Sequence, residues 1–327
     1  MKYASVDIGT NTMRLLIAED AGGGRIRPLV YERAITRLGG GYSEETGIAP
    51  ASALRAFAAI EKFKETISAH DVGFVRAVAT SVVRRAKNRD WFTGEIKRKT
   101  GMEVDIISGG DEARLSLEGV LSVLEPKGGT ILVIDIGGGS TEFIASKGGV
   151  IKGAWSMDMG VVHLAETFLL NDPPRRGELS GMEAAIEGVI KGLIGLMAES
   201  GVDRRLYSEA NGASFVGTAG TITTLAALDQ DLEEYDRARI NNYILKKERI
   251  IHFYNRLSSI TIKERERILS LERGREDLII PGAAITLKAM EAFGFGEMRV
   301  SDAGLLEGVI IDAFPGATPA GAGRMEV

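Results

Sequence analysis

Short apolar runs alternate along the chain with longer segments that place an apolar residue every three or four positions, a pattern typical of a mixed α/β protein. The apolar runs predict strands, most of them bounded by glycine, proline or aspartate. The predicted strands span residues 3–8, 13–18, 25–35, 72–79, 104–107, 130–136, 142–145, 150–156, 214–217 and 298–301. The helical spacing predicts helices over residues 51–68, 91–100, 111–124, 181–199, 246–257, 262–271, 281–293 and 304–314.

The first strand pair of each half contains the same kind of turn. Asp7 and Asp135 lie near the end of a predicted strand, a turn rich in Gly, Ser and Thr follows, and a second strand begins directly afterwards. The later elements recur in the same order. The economical interpretation is a duplicated βββαβαβα-like domain, with the two halves arranged around a cleft.

A chain of 327 residues is long for one core and suggests two domains. The helix-breaking residues 126–129 are the predicted junction. We expect a first domain over residues 1–125, with the last helix, 304–314, packing back on it, and a second domain over residues 126–303. The tail, residues 315–327, is rich in Gly, Ala and Pro, and we expect it to be flexible.

Composition then limits the class of function. The net charge is −5, so no overall basic field attracts nucleic acid or an anionic membrane. The chain has no cysteine and only three histidines, which excludes disulfides and thiol catalysis and argues against a histidine-rich zinc site. No secretory leader or long apolar stretch appears. We therefore expect a cytoplasmic protein without nucleic-acid or membrane partners.

The turns between strands suggest phosphate binding. Such turns leave several backbone N–H groups close together, and this concavity attracts an anion. The residues with this role are predicted to be Gly9, Thr10 and Asn11, then Gly137, Gly138, Gly139, Ser140 and Thr141, and in a third small-residue turn Gly217, Thr218, Gly220 and Thr221. Isolated glycine-rich loops are more often plain tight turns. Three such turns in one chain, two of them preceded by aspartate, favour phosphate binding over plain tight turns.

Carboxylates lie beside these turns. Asp7, Asp135 and Glu142 supply hard oxygen ligands, which suit Mg²⁺ either directly or through water. Mg²⁺ or a similar divalent metal is therefore the predicted cofactor.

Two further charged residues have alternative interpretations. Glu112, in the first turn of a predicted helix that Ser108 can cap, is either a general base or a partner of the helix dipole, and spacing alone favours the dipole. Arg84 can grip two phosphate oxygens with its planar guanidinium. Its neighbours Arg85, Lys87 and Arg89 make a solvated helix face the alternative, or else a local basic track for a polyanion.

Seven motifs, in order, resemble the exopolyphosphatase / guanosine pentaphosphate phosphohydrolase (Ppx/GppA) family of the actin, Hsp70 and sugar-kinase superfamily. The resemblance extends from Ser5 to about Val309. The motifs occupy residues 7–15, 36–39, 79–88, 107–114, 135–142, 217–221 and 301–305. The family's longer members carry a C-terminal helical domain of the HD-hydrolase type, so this chain is similar to the short, two-domain members.

The resemblance implies a duplicated actin-like ATPase (ribonuclease H-like) fold. It also implies that Glu112 is the catalytic base and Glu142 a second essential acid. Asp111 departs mildly from the family's motif, which usually has Glu there. The implied reaction is metal-dependent release of terminal orthophosphate from inorganic polyphosphate, or from guanosine pentaphosphate to give the tetraphosphate. Without the HD-type domain, short polyphosphates or a nucleotide are the expected substrates. Homodimers are compatible with the family.

Two other functions stay open. A phosphotransferase on the same fold, passing phosphate between polyphosphate and ADP, would need an adenosine pocket beside residues 217–221. A non-catalytic nucleotide sensor of the actin-like type would need neither Glu112 nor Glu142, so the presence of both acids counts against it.

Overall fold

The computed structural model describes residues 1–22, 25–125 and 128–314. The chain forms two compact units: an N-terminal unit, Met1–Ser122 with the segment that begins at Gly304, and a C-terminal unit, Val123–Ala303. The junction residues Pro126 and Lys127 lie outside the described residues, and so does the tail, 315–327. The domain limits 1–125 and 126–303 and the flexible tail stay predictions.

The N-terminal unit is built on a five-stranded sheet. Its strands are β1 (Lys2–Ile8), β2 (Thr12–Asp20), β3 (Ile26–Ile35), β4 (Phe74–Ala79) and β5 (Val104–Ile106). Its helices are α1 (Pro50–Ser68), α2 (Ser81–Arg85), α3 (Arg89–Thr100) and α4 (Gly109–Val123), and the chain's last helix, α12 (Leu305–Asp312), also belongs to it. The strand order is β3-β2-β1-β4-β5, and β1 pairs antiparallel with β2 and parallel with β4.

Both faces of this sheet are covered. On one face, Val6, Ile8 and Leu15 pack in a core with Phe57 and Phe63 of α1. On the other face, Tyr3 and Leu16 pack with Leu306, Ile310 and Phe314 of the last helix and the residues that follow it. Burial on both sides explains why every residue of β1 after Lys2 is buried, the polar Ser5 and Asp7 included.

The last helix crosses α4 at very short range. A Cβ atom added to Gly308 would overlap the carbonyl of Leu115, and one added to Gly119 would overlap Gly304. Arg114 of α4 also bonds Asp312 of α12 at 2.8 Å. Burial opposes the charge of Asp312, but the hydrogen bonds from Arg114 and Arg76 hold its pKa below the ordinary value. The motif residue Arg114 therefore anchors the last helix.

The C-terminal unit is built on a six-stranded sheet. Its strands are β6 (Thr130–Ile136), β7 (Thr141–Lys147), β8 (Val150–Met157), β9 (Ser214–Thr218), β10 (Ile244–Lys246) and β11 (Glu297–Val300). Its helices are α5 (Val161–Phe168), α6 (Arg176–Glu199), α7 (Ala219–Asp229), α8 (Arg237–Ile240), α9 (Lys247–Ser258), α10 (Ile262–Arg265) and α11 (Ile279–Phe293). A core of apolar side chains joins this sheet to α6, α9 and α11.

The two sheets share one topology. The order β8-β7-β6-β9-β11 repeats β3-β2-β1-β4-β5, and β10 is an additional edge strand. In both sheets the first two strands form a hairpin, and the first strand is parallel to the fourth. The predicted duplication of an α/β domain is confirmed.

One predicted helix is wrong over most of its length. Residues 262–271 were expected to be helical, but α10 ends at Arg265 and turns and bends continue to Leu278. The Arg265 side chain is 3% exposed and donates hydrogen bonds to the Leu257 carbonyl at 3.2 Å and to Asp172 at 3.3 Å. These contacts hold the end of α10 against α9 and the loop before α6, which helical spacing cannot predict.

Across the three described ranges of the chain, none of the helices combines the length and the apolar character needed to cross a bilayer.

Candidate active site

The predicted site residues of the N-terminal unit gather at one edge of its sheet. Ile8 pairs in register with Ala79, and the Ile107 N–H donates to the Ala79 carbonyl at 3.2 Å. The chain segments that leave β1, β4 and β5 are therefore neighbours. These segments carry the first turn, Arg84 and Glu112, so one edge of the sheet brings the three features together.

The first turn, Gly9–Asn11, is held by the motif at residues 36–39. The N–H groups of Thr36 and Arg37 donate to the Asn11 carbonyl at 3.0 and 2.9 Å, and the Gly39 N–H donates to the Thr10 carbonyl at 2.8 Å. The carbonyl groups of the turn are thus used inside the protein. A turn whose carbonyls face inward in this way presents its N–H side to an incoming anion.

Asp7 lies just before this turn and is only 3% exposed. Arg14 lies opposite it in the β1–β2 ladder and donates two hydrogen bonds to its Oδ2 atom, at 2.6 and 3.0 Å. The Oδ1 atom of Asp7 is buried and has no hydrogen-bond partner among the described residues. Arg14 neutralises much of the Asp7 charge, and a single buried oxygen is left for a ligand.

Arg84 and Glu112 form an ion pair. The Arg84 Nη1 atom donates to Glu112 Oε2 at 3.0 Å and to the Ile107 carbonyl at 2.9 Å. The Glu112 side chain is 11% exposed and that of Arg84 is 25% exposed. Ser108 caps the helix, accepting from the Asp111 N–H at 3.0 Å. Sequence reasoning named both residues, but only the structure places them in contact.

The second turn, Gly137–Ser140, lies against the start of α5. The Val161 and Val162 N–H groups donate to the carbonyls of Gly137 and Gly138 at 3.1 and 3.0 Å. A Cβ atom added to Gly160 would overlap the backbone of Gly138 and Gly139. Gly160, which sequence reasoning did not single out, is therefore required for the shape of the turn.

The close approach of Gly160 leads to a stability prediction. Gly160→Ala is expected to lower the free energy of unfolding by about 1–3 kcal/mol, since the added carbon must push the turn away. The matched control is Gly188→Ala in the exposed part of α6, where the added carbon meets no atom within 4 Å. There we expect a gain of about 0.5–1 kcal/mol. Urea unfolding followed by circular dichroism measures both changes, and equal effects at the two sites would contradict the packing argument.

Glu142 is 2% exposed and is oriented by two hydroxyl groups. Ser140 and Ser156 donate to its Oε1 atom at 2.8 and 2.7 Å. Glu142 lies opposite Asp135 in the β6–β7 ladder, so two carboxylates face each other next to the second turn.

The two hairpins therefore differ at one equivalent position. Arg14 follows Asp7 by seven residues, and Glu142 follows Asp135 by the same interval. The arginine neutralises the aspartate in the first hairpin, whereas the glutamate adds negative charge in the second. The first hairpin is thus suited to an anion and the second to a cation.

The third turn joins β9 to α7. Ala219 has φ of 69°, which makes a sharp turn at the start of this helix. No side chain caps the helix at Thr218, so the first N–H groups of α7 are available to bind an anion. Asp135 pairs in register with Thr218, and the second and third turns therefore lie at the same sheet edge.

Arg275 lies at the third turn, and sequence reasoning did not single it out. A Cβ atom at Gly220 would overlap the Arg275 guanidinium, so this side chain lies directly over the third turn. It is 15% exposed and pairs with Glu272, which also accepts from Thr224 at 3.3 Å. In the sequence Arg275 belongs to a strongly charged stretch far from residues 217–221, and no local signal marked it.

The side chains present fit a magnesium ion. Within the part of the chain that the structure describes, no group of three or more Asp, Glu or His residues forms a complete metal cage. Mg²⁺ usually keeps several waters and takes only one or two protein carboxylates together with substrate phosphates. In the C-terminal unit, Asp135 with Glu142 provides such a pair. In the N-terminal unit, taken by itself, the Oδ1 atom of Asp7 provides a single oxygen.

Two sheets of one topology, each with an Asp-Gly turn after its first strand, define a duplicated actin-like fold. A solved Ppx-GppA enzyme from Aquifex aeolicus matches with a TM-score of 0.77 and 32% identity, over 95% of this chain and 99% of that one. The model of the Ppx/GppA phosphatase family matches residues 16–316. The chain belongs to the Ppx/GppA phosphatase family, and the predictions of the family and of a hydrolytic enzyme are confirmed.

Two relatives that match most of the chain carry different names. Exopolyphosphatase 2 of Mycobacterium tuberculosis is 31% identical over 323 residues, which cover 95% of this chain and 98% of the relative. A guanosine-5'-triphosphate,3'-diphosphate pyrophosphatase of Vibrio vulnificus is 27% identical over 311 residues, 94% of this chain and 58% of the relative. The fold and the class of enzyme are thus known, and the substrate requires a separate argument.

Proposed function

We propose that the protein is a Mg²⁺-dependent phosphohydrolase that releases terminal orthophosphate from inorganic polyphosphate. Guanosine pentaphosphate, converted to the tetraphosphate, is the proposed second substrate. Polyphosphate as a substrate is supported by the similarity to an exopolyphosphatase along nearly the full length of both chains. Guanosine pentaphosphate is supported by the pyrophosphatase relative.

The Arg84–Glu112 ion pair is the observation that carries the proposal. A terminal phosphate competes with Glu112 for the Arg84 guanidinium, because both present paired oxygen atoms. Once Arg84 binds the phosphate, the Glu112 carboxylate is released to accept a proton from water. The water oxygen then bonds to the terminal phosphorus, the bridging P–O bond breaks, and the bridging oxygen becomes the new end of the chain.

The turns and acids complete the proposed site. In the C-terminal unit, the backbone N–H groups of the second turn and of the start of α7 bind phosphate oxygens. In the N-terminal unit, those of the first turn have the same role. In the C-terminal unit, Asp135 and Glu142 would hold Mg²⁺. The metal, when bound, neutralises charge on the phosphate oxygens. Glu142 is held by Ser140 and Ser156, so it needs no rearrangement to serve as a ligand.

A substrate panel tests the proposal. Tripolyphosphate, longer polyphosphates, guanosine pentaphosphate, ATP and ADP are each incubated with the protein, with and without Mg²⁺, and orthophosphate is measured. We expect release from polyphosphate that requires Mg²⁺ and is stopped by chelation. New ATP in place of orthophosphate when ADP is added would instead indicate a phosphotransferase. The absence of both products would contradict the proposal and leave a sensor.

A further inference from the structure

A run of cations continues outward from Arg84. The basic segment, defined as Arg84, Arg85, Lys87 and Arg89, covers the end of α2 and the start of α3. Arg85, Lys87 and Arg89 are all exposed. Between residues 79 and 94 the only acidic residue is Asp90. Its Oδ1 atom lies 3.8 Å from Arg89 Nε, and its side chain is 95% exposed. The segment is therefore strongly basic in a protein whose net charge is −5.

The backbone that presents these cations is held firmly. Asn88 accepts from the Ile48 N–H at 2.9 Å and donates to the Ile48 carbonyl at 3.0 Å. The Tyr42 hydroxyl donates to the Arg85 carbonyl at 3.2 Å, and Ala86 is buried. An ordinary solvated helix face needs no such anchoring. Fixing the backbone in advance lowers the entropy lost when a ligand binds the side chains.

The basic segment is continuous with the predicted catalytic base. Arg89 donates from Nη1 to the Arg84 carbonyl at 3.2 Å, and Arg84 in turn bonds Glu112. Arg89 and Arg84 thus connect the basic segment to Glu112 through hydrogen bonds. The members of the basic segment all lie in the N-terminal unit.

We propose that the basic segment binds the phosphates that follow the terminal one, and that it makes linear inorganic polyphosphate the favoured substrate. The inference rests on the proposed function, because Arg84 must hold the terminal phosphate for the next ones to reach Arg85, Lys87 and Arg89. Every phosphate of a linear chain carries negative charge, whereas the 5′ chain of a guanosine nucleotide ends in a nucleoside. The basic segment thus offers a binding surface to polyphosphates that are longer than the short ones expected from the sequence.

A triple variant tests the basic segment. Arg85→Gln/Lys87→Gln/Arg89→Gln is compared with wild type on tripolyphosphate, on a polyphosphate of several tens of phosphates and on guanosine pentaphosphate. Three exposed charge contacts together predict a rise of about tenfold in KM for the long chain relative to tripolyphosphate. The salt dependence of that KM should also become shallower, since fewer counterions are exchanged.

The matched control is Lys62→Gln/Lys64→Gln/Lys97→Gln. It removes the same charge from exposed positions of α1 and α3, with Lys97 about 12 Å along α3 from Arg89. We expect the control to keep the long-chain KM of wild type. Melting temperatures of both variants verify that the fold is intact.

The outcomes separate this inference from the proposed function. A long-chain KM that is unchanged in the triple variant, or raised equally by the control, would overturn the role of the basic segment while leaving hydrolysis intact. An equal loss on guanosine pentaphosphate would indicate a nucleotide subsite instead. If wild type hydrolyses none of the substrates, the proposed function fails. Calorimetric titration of the protein with the long polyphosphate, without Mg²⁺, then tests the basic segment by itself. Equal long-chain affinity of the triple variant and the control would then contradict the inference.

Discussion

Glu112→Gln is expected to lower kcat for orthophosphate release from tripolyphosphate by about 10³-fold, with a much smaller change in KM. Removing a positioned general base costs about 10²–10⁴-fold. The amide keeps the shape of Glu112 and can still accept a hydrogen bond from Arg84, so folding and substrate binding are preserved. Stopped assays of released orthophosphate over a range of substrate concentrations give both constants.

The neighbouring acid provides the control for Glu112. Asp111 is exposed and bonds Ser108 at 2.7 Å, so Asp111→Asn removes the same charge from the same helical turn without touching Arg84. We expect its kcat to stay near that of wild type. If Asp111→Asn lost as much activity as Glu112→Gln, the effect would belong to the charge of the helix start and not to a base at Glu112.

Glu142→Gln is expected to raise the Mg²⁺ concentration for half-maximal activity by about 100-fold. Changes in residues that merely orient a metal's ligands cost about 10–100-fold in affinity, and a direct ligand belongs at or above the upper end of that range. The hydroxyl groups of Ser140 and Ser156 remain to hold the new amide, so the buried site stays hydrogen-bonded. Activity titrations with Mg²⁺ and calorimetric titration of the protein with Mg²⁺ measure the shift independently.

Asp7→Asn is the comparison for Glu142→Gln. Arg14 already neutralises Asp7, whereas Glu142 adds its charge to that of Asp135. We therefore expect Asp7→Asn to change the Mg²⁺ requirement much less than Glu142→Gln does, and to act mainly through the position of Arg14. A larger shift for Asp7→Asn than for Glu142→Gln would place the metal at the first hairpin and contradict this division between the two turns.

The elements carrying the site were predictable because their signals are local. The two hairpins follow from apolar runs interrupted by Asp-Gly turns, and β1 and β6 end at the predicted residues. The cap at Ser108 and the helix that carries Glu112 also follow from residues close together in the chain. These features depend on backbone preferences and on burial of neighbouring side chains, which the order of residues records directly.

Contacts between distant segments were not predictable. The residues around Gly220 do not predict that Arg275 lies over it. The residues around Arg265 do not predict its contact with Asp172, where α10 ends early. The short helix α5 was also missed, since eight residues are too few for a clear periodic pattern.

The sequence by itself determined the duplicated α/β scheme, the glycine-rich turns, the acids beside them and the resemblance to the Ppx/GppA phosphatase family. Only the tertiary structure decided what each charged group touches. It paired Arg84 with Glu112, Arg14 with Asp7, and Glu142 with two serines opposite Asp135. The physical reason is that a charge acts through neighbours a few ångströms away, and the fold decides which groups become those neighbours.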